Sequence, residues 1–290
     1  MAIRITLFIL TNLAIMLILS LSTQLLGLTH SPDDLISLFI FSFIMGSAGS
    51  IISLFLSKKI ALSSLKGYLI TTPQNSTEVW LVATVQELAT KAGIGVPDIA
   101  IFDDMSPNAF ATGAFRDHAL VAVSTGLLKV MDENEVKAVL GHEIGHIANG
   151  DMITLSLLQG IINTFVIFFA RIIGFVVDTL LSKGQQRSNQ TGPAYMIATF
   201  IAEIVLSFLG TLIVMAFSRY REYRADHAGA TLAGRTSMIR ALQTLMDTHE
   251  TRSSLPDSLK AFGISGSMRS LFSTHPPLSD RITRLQNYVS

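Results

Sequence analysis

The chain has 290 residues, of which 49% are hydrophobic and only 14% are charged. Soluble domains carry about 25% charged residues, so this composition indicates an integral membrane protein. The formal net charge is zero, which argues against nucleic acid as a partner. Cysteine is absent, which excludes disulfides and thiolate metal sites and leaves histidine and carboxylate as metal ligands.

Two apolar stretches begin the chain. Residues 3–28 are apolar apart from Arg4 and a few hydroxyls and amides. They are long enough to span a bilayer and too long for the apolar core of a signal peptide. Residues 35–56 predict a second span, and three lysines follow it within residues 58–66. The positive-inside rule places these lysines in the cytoplasm and the turn at residues 29–34 outside.

Residues 57–153 are predicted to form the first soluble segment. Helical and alternating periodicity, together with turn-forming residues, divide it into short elements. These are a helix over residues 79–92 that ends at Gly93, strands at 98–102 and 120–124, a β-type stretch at 108–113 between them, and a turn at 116–118. We expect a small sheet or hairpin beside the helix that follows.

The strongest motif is the HExxH pentapeptide at residues 142–146. His142 and His146 are four residues apart, so on a helix their imidazoles share one face and can bind one zinc ion. Glu143 stands beside the first ligand, where it can act as general base on a water molecule. The alternative is an amphipathic helix with two hydrogen-bonded histidines, which would leave these buried polar groups without a structural reason.

The local sequence also predicts the helix that this motif needs. Asp132 followed by Glu135 is typical of an N-cap with its capping-box partner. Apolar residues recur at helical spacing between positions 136 and 147, and Gly150 is a natural C-terminal stop.

Two further spans follow the motif. Residues 154–174 predict the third span, with Arg171 near its far end, and residues 193–217 predict the fourth span, which carries Glu203. Arg171 is a candidate partner for Glu203 by charge. Small residues at positions 42, 46 and 50 of the second span predict close helix packing.

A catalytic zinc ion usually has three protein ligands. The third span begins just after the HExxH helix, and the fourth returns the chain to the same membrane face, so we expect Glu222 to lie close to the two histidines. Asp226, one turn further on the same helical face, is a candidate to orient a ligating histidine. The weaker alternatives for the third ligand are Asp151, His227 and Glu203.

The chain resembles the HtpX family of membrane zinc peptidases, which are relatives of the CAAX prenyl-protein metalloproteases. The resemblance runs nearly end to end and is carried by the HExxH motif and by six further segments. They are residues 7–14 (LFILTNLA), 108–113 (NAFATG), 121–126 (VAVSTG), 145–151 (GHIANGD), 221–226 (REYRAD) and 274–277 (THPP).

The resemblance implies an endopeptidase of the bacterial cytoplasmic (inner) membrane that helps to clear misfolded membrane proteins under stress. It also implies a cytosolic active site and zinc held by His142, His146 and Glu222. It suggests that His275 donates a hydrogen bond to the oxyanion during catalysis. The alternative for His275 is a structural role in closing a turn before the last helix, at residues 279–288.

Substrate binding is predicted at Asn108, Ala109, Phe110 and Ala111. This stretch is uncharged and tolerates β-structure, so it can form a sheet edge that pairs with the main chain of a substrate. The resemblance marks the same residues. The alternative is an ordinary inner strand or loop.

These inferences predict a mainly α, polytopic membrane protein with four transmembrane helices and a cytosolic α+β zincin-like metallopeptidase domain. The predicted divisions are residues 1–56 (two spans), 57–153 (catalytic segment), 154–217 (membrane hairpin) and 218–290 (catalytic segment with the third ligand). Both termini are predicted to be cytosolic. The expected cofactor is Zn²⁺, and the expected partners are the lipid bilayer and membrane-protein substrates.

Two other functions are compatible with the sequence. One is a narrow processing peptidase like the CAAX relatives, which would cleave at a single repeated motif. The other is a non-catalytic membrane sensor or scaffold with a structural zinc ion, although a structural site has no use for Glu143 beside its ligand.

Overall fold

The structure is a computed structural model that describes residues 32–64, 66–181, 192–252 and 275–287. The span expected at residues 3–28 lies outside the described residues, as does most of the stretch from 251 to 274. The chain divides into two compact units. Among the described residues, the first unit contains 32–53 and 154–214, and the second contains 54–153 and the residues from Met215 onward.

The described residues form long helices and one small sheet. In chain order the elements are α1 (Pro32–Ser64), β1 (Gly67–Leu69), α2 (Ser76–Ala92), β2 (Asp98–Phe102), β3 (Ala109–Thr112), a 3₁₀ turn (Arg116–His118), β4 (Leu120–Ser124), α3 (Thr125–Val130), α4 (Glu133–Asn149), α5 (Asp151–Leu181), α6 (Pro193–Ala233), α7 (Arg235–Arg252) and α8 (Leu278–Gln286).

Three of these helices are long and apolar enough to cross a membrane, namely Leu35–Ser64 within α1, the whole of α5 and the whole of α6. Each is longer than its predicted span. The extra length lies at the helix ends, where residues outside the apolar stretch continue the helix. The protein is therefore mostly helical, with three candidate spans among its described residues.

The first unit packs these apolar helices against one another. Ser42, Ser47 and Ser50 of α1 are buried, and a Cβ atom at Gly46 would lie only 2.5 Å from the backbone nitrogen of Thr164 in α5. This confirms the small-residue packing face of α1.

The charged residues of the predicted third and fourth spans meet within the same unit. A guanidinium nitrogen of Arg171 lies 3.6 Å from a carboxylate oxygen of Glu203. The Arg171 guanidinium also stands 4.9 Å from the centre of the Phe41 ring, a cation–π distance. The two charges thus compensate each other, as their signs suggested.

The second unit contains a four-stranded sheet in the order β1-β2-β4-β3. β2 and β4 are parallel, and the two outer strands are antiparallel to their neighbours. The strands predicted at 98–102 and 120–124 are confirmed with the same limits. Sequence patterning missed β1 and α3, because three and six residues are too short to establish a period.

The core of this unit lies between one face of the sheet and the helices. α2 and α4 contribute fully buried aliphatic side chains that pack with those of β4. The main members are Leu81, Val85, Leu88, Val121, Val123, Leu140 and Ile144. The HExxH helix is therefore held rigidly against the sheet.

Candidate metal centre

The helix that carries the HExxH motif has both of its predicted caps. Asp132 Oδ1 accepts a hydrogen bond from the Glu135 backbone N–H at 2.9 Å, and Glu135 Oε2 accepts one from the Asp132 N–H at 3.1 Å. Gly150 ends α4 with a φ of 62°, a left-handed conformation that glycine adopts without strain. His142 and His146 project one turn apart, with ring centroids separated by 4.7 Å.

Glycines allow α6 to approach α4 closely. A Cβ atom at Gly145 would lie 2.6 Å from the Cβ of Ala228, and one at Gly141 would lie 3.2 Å from the Cα of Gly229. Side chains at these positions would force the helices apart. The close approach brings Glu222 of α6 to the histidines of α4.

Glu222 completes a three-residue cluster. Its Oε1 lies 3.2 Å from His146 Nε2, and its Oε2 lies 3.5 Å from His142 Nε2. One potential ligand atom from each residue lies within 4.8 Å of the others. Tetrahedral zinc bonds of about 2.0–2.1 Å place ligand atoms about 3.3–3.5 Å apart, so this donor set and its spacing fit a zinc ion.

The second ring nitrogen of each histidine is held by a buried aspartate. His142 Nδ1 donates to Asp226 Oδ1 at 3.0 Å, and His146 Nδ1 donates to Asp151 Oδ2 at 2.7 Å. These contacts leave both Nε2 atoms facing Glu222. Such carboxylates fix the tautomer and the orientation of metal-binding imidazoles.

Two arginines that sequence reasoning did not assign to the site donate hydrogen bonds to these two aspartates. Arg281 of α8 is buried and donates from Nε to Asp226 Oδ2 at 2.8 Å, and Arg221 donates from Nη1 to the backbone oxygen of Asp151 at 3.0 Å. The available signal for Arg281 is its position in the apolar stripe of α8, between Leu278 and Leu285. A charge in such a stripe indicates a buried partner.

Asp151 was predicted only as a weaker candidate for the third ligand. The structure instead places its carboxylate at Nδ1 of His146, on the side of the ring away from Glu222. The other two candidates are not part of the cluster, since His227 is exposed and Glu203 pairs with Arg171.

The family model described as peptidase family M48 matches residues 75–289. The chain belongs to peptidase family M48.

Relatives within this family confirm the resemblance to the HtpX proteases. The chain is 54% identical to "Protease HtpX" of Cellvibrio japonicus (strain Ueda107) and 50% identical to "Protease HtpX" of Thioalkalivibrio sulfidiphilus (strain HL-EbGR7), with 98% of each chain covered in both cases. The protein is therefore a metalloprotease, and its apolar helices and relatives indicate a membrane protein.

One solved structure extends the likeness to the fold. S. mikatae Ste24p matches with a TM-score of 0.61 at 18% sequence identity. The match covers 99% of this chain and 65% of that one, so the M48 chain studied here spans just under two thirds of that protein's length.

The centre of this M48 protease strongly favours positive charge at the two histidines. Burial by itself would lower the pKa of His146, but hydrogen bonds to Asp151 and Glu222 outweigh burial and raise that pKa to about 9. Burial opposes protonation of His142 as well, yet hydrogen bonds to Asp226 and Glu222 raise its pKa. The negative electrostatic potential of these carboxylates stabilises charged imidazoles, and it also favours a divalent cation between them.

Glu143 and His275 flank the M48 centre without belonging to the cluster of ligand atoms. Glu143 is buried, and its burial raises the pKa of its carboxyl group. His275 Nδ1 lies 2.7 Å from Glu222 Oε2, and 61% of the His275 side chain is exposed. The structure thus brings together His142, Glu143, His146, Glu222, Asp226 and His275.

The predicted substrate stretch lies at an edge of the sheet. Ala109, Phe110 and Ala111 are in β3, which pairs with β4 on one side only, and Asn108 directly precedes it. Asn108 accepts a backbone hydrogen bond from Ser124 at 2.8 Å. In an antiparallel ladder the bonding direction alternates, so Phe110 and Thr112 also face β4, whereas the backbone groups of Ala109 and Ala111 face the open edge.

Proposed function

We propose that this protease is a zinc-dependent endopeptidase that cleaves misfolded or damaged membrane proteins on the cytosolic side of the bacterial cytoplasmic membrane. The observation that carries the proposal is the cluster of His142, His146 and Glu222, whose ligand atoms lie within 4.8 Å of one another. Its location beside Glu143, in a family of metalloproteases, supports catalysis rather than a structural metal site.

The three clustered residues are the proposed metal ligands. Two imidazole nitrogens and one carboxylate are a known catalytic zinc set that leaves one position open. When bound, zinc supplies a Lewis acid that polarises the scissile carbonyl and lowers the pKa of water to about 7. Asp226 and Asp151 hold the rings of His142 and His146 in the orientation that this role requires.

Glu143 and His275 are the proposed catalytic groups. Burial raises the pKa of Glu143, which brings this carboxylate closer to the pKa that suits a general base. Glu143 takes the proton from the attacking water and passes it to the leaving amine. The exposed ring of His275 beside Glu222 is placed to donate a hydrogen bond to the carbonyl oxygen as its charge develops.

The open edge of β3 supports a broad choice of substrates. The backbone groups of Ala109 and Ala111 pair with any extended segment, because main-chain hydrogen bonds do not depend on sequence. A narrow processing peptidase would instead need pockets for particular side chains. Mapping the cleavage sites in several membrane proteins distinguishes the two, since scattered sites support quality control and one repeated motif supports processing.

The sequence around the site supports substrates in or near the membrane. Only Gly150 separates α4 from α5, a candidate span, and the apolar part of α6 ends at Phe217, five residues before Glu222. The lysines at positions 58, 59 and 66 and the arginines at 219, 221 and 224 favour a cytosolic catalytic unit. The proposed domain organisation is the one predicted from the sequence, with two spans in residues 1–56, a catalytic segment in 57–153, a membrane hairpin in 154–217 and a second catalytic segment in 218–290.

A peptidase assay on the full-length protein in detergent tests the proposal. Cleavage of an unfolded protein substrate should stop on addition of a chelator and return on addition of Zn²⁺ to the dialysed protein. Metal analysis of the purified protein should find one zinc ion per chain. Full activity after complete metal removal would contradict the proposed mechanism, and restoration by another metal alone would contradict the choice of zinc.

A further inference from the structure

A second polar cavity lies in the catalytic unit, apart from the cluster of ligand atoms. Its volume is about 320 Å³. On α6 it is lined by Tyr220, Tyr223, Arg224 and His227, and on α8 by Arg281 and Arg284. Asp226, which orients His142, also lines it.

Most residues of α6 that line the cavity lie on a different face of the helix from Glu222. Successive residues of a helix are rotated by about 100°. Relative to Glu222, the residues at positions 220, 223, 224 and 227 are therefore rotated by about 100–200°. None of the HExxH residues lines the cavity, so it adjoins the metal centre through Asp226 but is distinct from the cluster of ligand atoms.

The charges of the cavity are not balanced within the described part of the chain. Arg281 is paired with Asp226, which accepts from it at 2.8 Å. Arg224 donates only to the amide oxygen of Asn149, at 3.1 Å, and Arg284 stands 4.4 Å from the centre of the Tyr223 ring. No described carboxylate pairs with Arg224 or Arg284, so two exposed guanidinium groups share one concave surface.

Guanidinium groups with neighbouring phenol hydroxyls match one type of ligand well. Phosphate oxygens accept paired N–H bonds from arginine and O–H bonds from tyrosine. We propose that this cavity binds a phosphate group. A phosphate-sized anion occupies only part of the volume, which leaves room for the remainder of a larger molecule.

The phosphate could come from a lipid headgroup or from a soluble anion, and the position of the cavity favours the lipid. The apolar part of α6 ends at Phe217. At about 1.5 Å per residue, Tyr220 lies about 5 Å beyond that end and Arg224 about 10 Å beyond it. The headgroup layer of a bilayer is roughly 5–8 Å thick on each side, so Tyr220 lies within this layer and Arg224 just beyond it. Basic pockets at this level bind anionic phospholipids.

The test measures ligand binding by the full-length protein in a neutral detergent, through the rise in the unfolding temperature (Tm) that a bound ligand causes. The probes are dioctanoyl phosphatidylglycerol, dioctanoylglycerol, which has the same chains without the phosphate, and inorganic phosphate. The variant is Arg224→Gln/Arg284→Gln. The matched control is Arg116→Gln/Arg235→Gln, which removes two exposed arginines outside the cavity.

For the wild type and the control variant, we expect phosphatidylglycerol to raise the Tm at the same half-saturating concentration and dioctanoylglycerol to have no effect. The Arg224/Arg284 variant should need at least about ten-fold more phosphatidylglycerol, since each charge-assisted hydrogen bond contributes roughly a decade or more in affinity. If that variant unfolds during purification, the single variants Arg224→Gln and Arg284→Gln replace it.

The probes also distinguish the two sources of phosphate. Saturation by phosphatidylglycerol at far lower concentration than by inorganic phosphate supports the lipid headgroup, and equal saturation supports a soluble phosphate in the same site. The proposal is overturned if neither probe shifts the Tm of the wild type, or if the control variant loses as much affinity as the cavity variant.

Discussion

Two imidazoles and four carboxylates lie at the metal centre, and their orientations assign different roles to the carboxylates. Glu222 alone faces both Nε2 atoms, whereas Asp226 and Asp151 each bind an Nδ1 atom. Glu143 lies on the same helix as the histidines but contributes no atom to the cluster. Substitutions can therefore separate metal binding, ring orientation and proton transfer.

Replacing Glu143 tests proton transfer. Glu143→Ala should keep zinc near one ion per chain and lower the cleavage rate by at least about 10²-fold, because a general base contributes roughly that much or more. Zinc analysis and a peptidase assay on the same sample measure both quantities. His142→Ala is the matched comparison, which should lose zinc and activity together. Wild-type turnover by zinc-loaded Glu143→Ala would rule out this residue as the base.

Replacing the carboxylates separates the third ligand from the orienting groups. Glu222→Ala should lose zinc during dialysis, because it removes one of three ligands. Asp151→Asn and Asp226→Asn should lower zinc affinity by only about 10–100-fold, the usual effect of partners that orient a ligating histidine. Competition with a chelator of known affinity measures the difference. If Asp151→Asn loses zinc as completely as Glu222→Ala does, the assignment of the third ligand is wrong.

At the level of elements, the spacing between α4 and α6 decides whether Glu222 reaches the histidines. Gly145 and Ala228 are in direct contact at this crossing. The apolar residues of α4 pack on the opposite side, against the sheet. α4 is thus held between two rigid surfaces, and a larger side chain on its α6 face can only displace α6.

Gly145→Ala tests this spacing. Helix propensity alone would favour alanine by about 1 kcal/mol, but the new Cβ would lie 2.6 Å from the Cβ of Ala228. We expect the steric clash to outweigh the gain in helix propensity. The free energy of unfolding should fall by about 1–3 kcal/mol, and zinc binding should weaken. Gly145→Ala/Ala228→Gly should restore zinc binding, because the next atom, the Ala225 oxygen, is 3.5 Å away. No recovery in the double variant would contradict the packing explanation.

The edge strand β3 gives a second prediction at this level. Ala111→Pro should remove a backbone N–H that faces the open edge, so cleavage should fall at least about ten-fold while folding and zinc binding are kept. Thr112→Pro is the matched control, since its N–H faces β4 and its loss should lower the Tm. Asn108→Ala should have a milder effect on cleavage. Normal turnover by folded, zinc-loaded Ala111→Pro would exclude β3 as the substrate-binding strand.

At the scale of the whole molecule, the catalytic unit is assembled from two separate parts of the chain. Residues 54–153 supply the sheet and α4, and the residues after Met215 supply Glu222 and Arg281. The intervening residues form two candidate membrane helices. If both helices cross the membrane, the chain returns to the side from which it started, so we predict that both parts of the catalytic unit lie on one side of the membrane.

Labelling tests this topology. The chain has no cysteine, so single cysteines can be introduced without a background signal. In intact cells, cysteines at Lys66 and Glu133 should react only with a membrane-permeant maleimide. Cysteines at Asp33 and Gln186 should also react with an impermeant one. Reaction of the Glu133 position with the impermeant reagent would place the catalytic unit outside the cytoplasm.

The sequence by itself determined the features that depend on neighbouring residues. The capping box and terminal glycine of α4, the limits of β2 and β4, and the pairing of histidines four residues apart are all local. Glu222 was also predictable, because a hairpin of two apolar stretches constrains where its end returns. Such features follow from hydrogen bonding within one element and from the length of apolar chain that a bilayer requires. Both can be recognised in a single stretch of sequence.

Only the tertiary structure decided the roles of Asp151 and Arg281, the edge position of β3 and the need for glycine at the crossing of α4 and α6. Asp151 is near His146 in sequence, yet the ring nitrogen that it binds depends on how α5 continues from α4. Arg281 is 55 residues from Asp226, and the two meet only once α8 has packed. These contacts depend on how elements distant in the chain are placed relative to one another. Side-chain packing determines that placement, and local propensity does not, so no local sequence pattern encodes it.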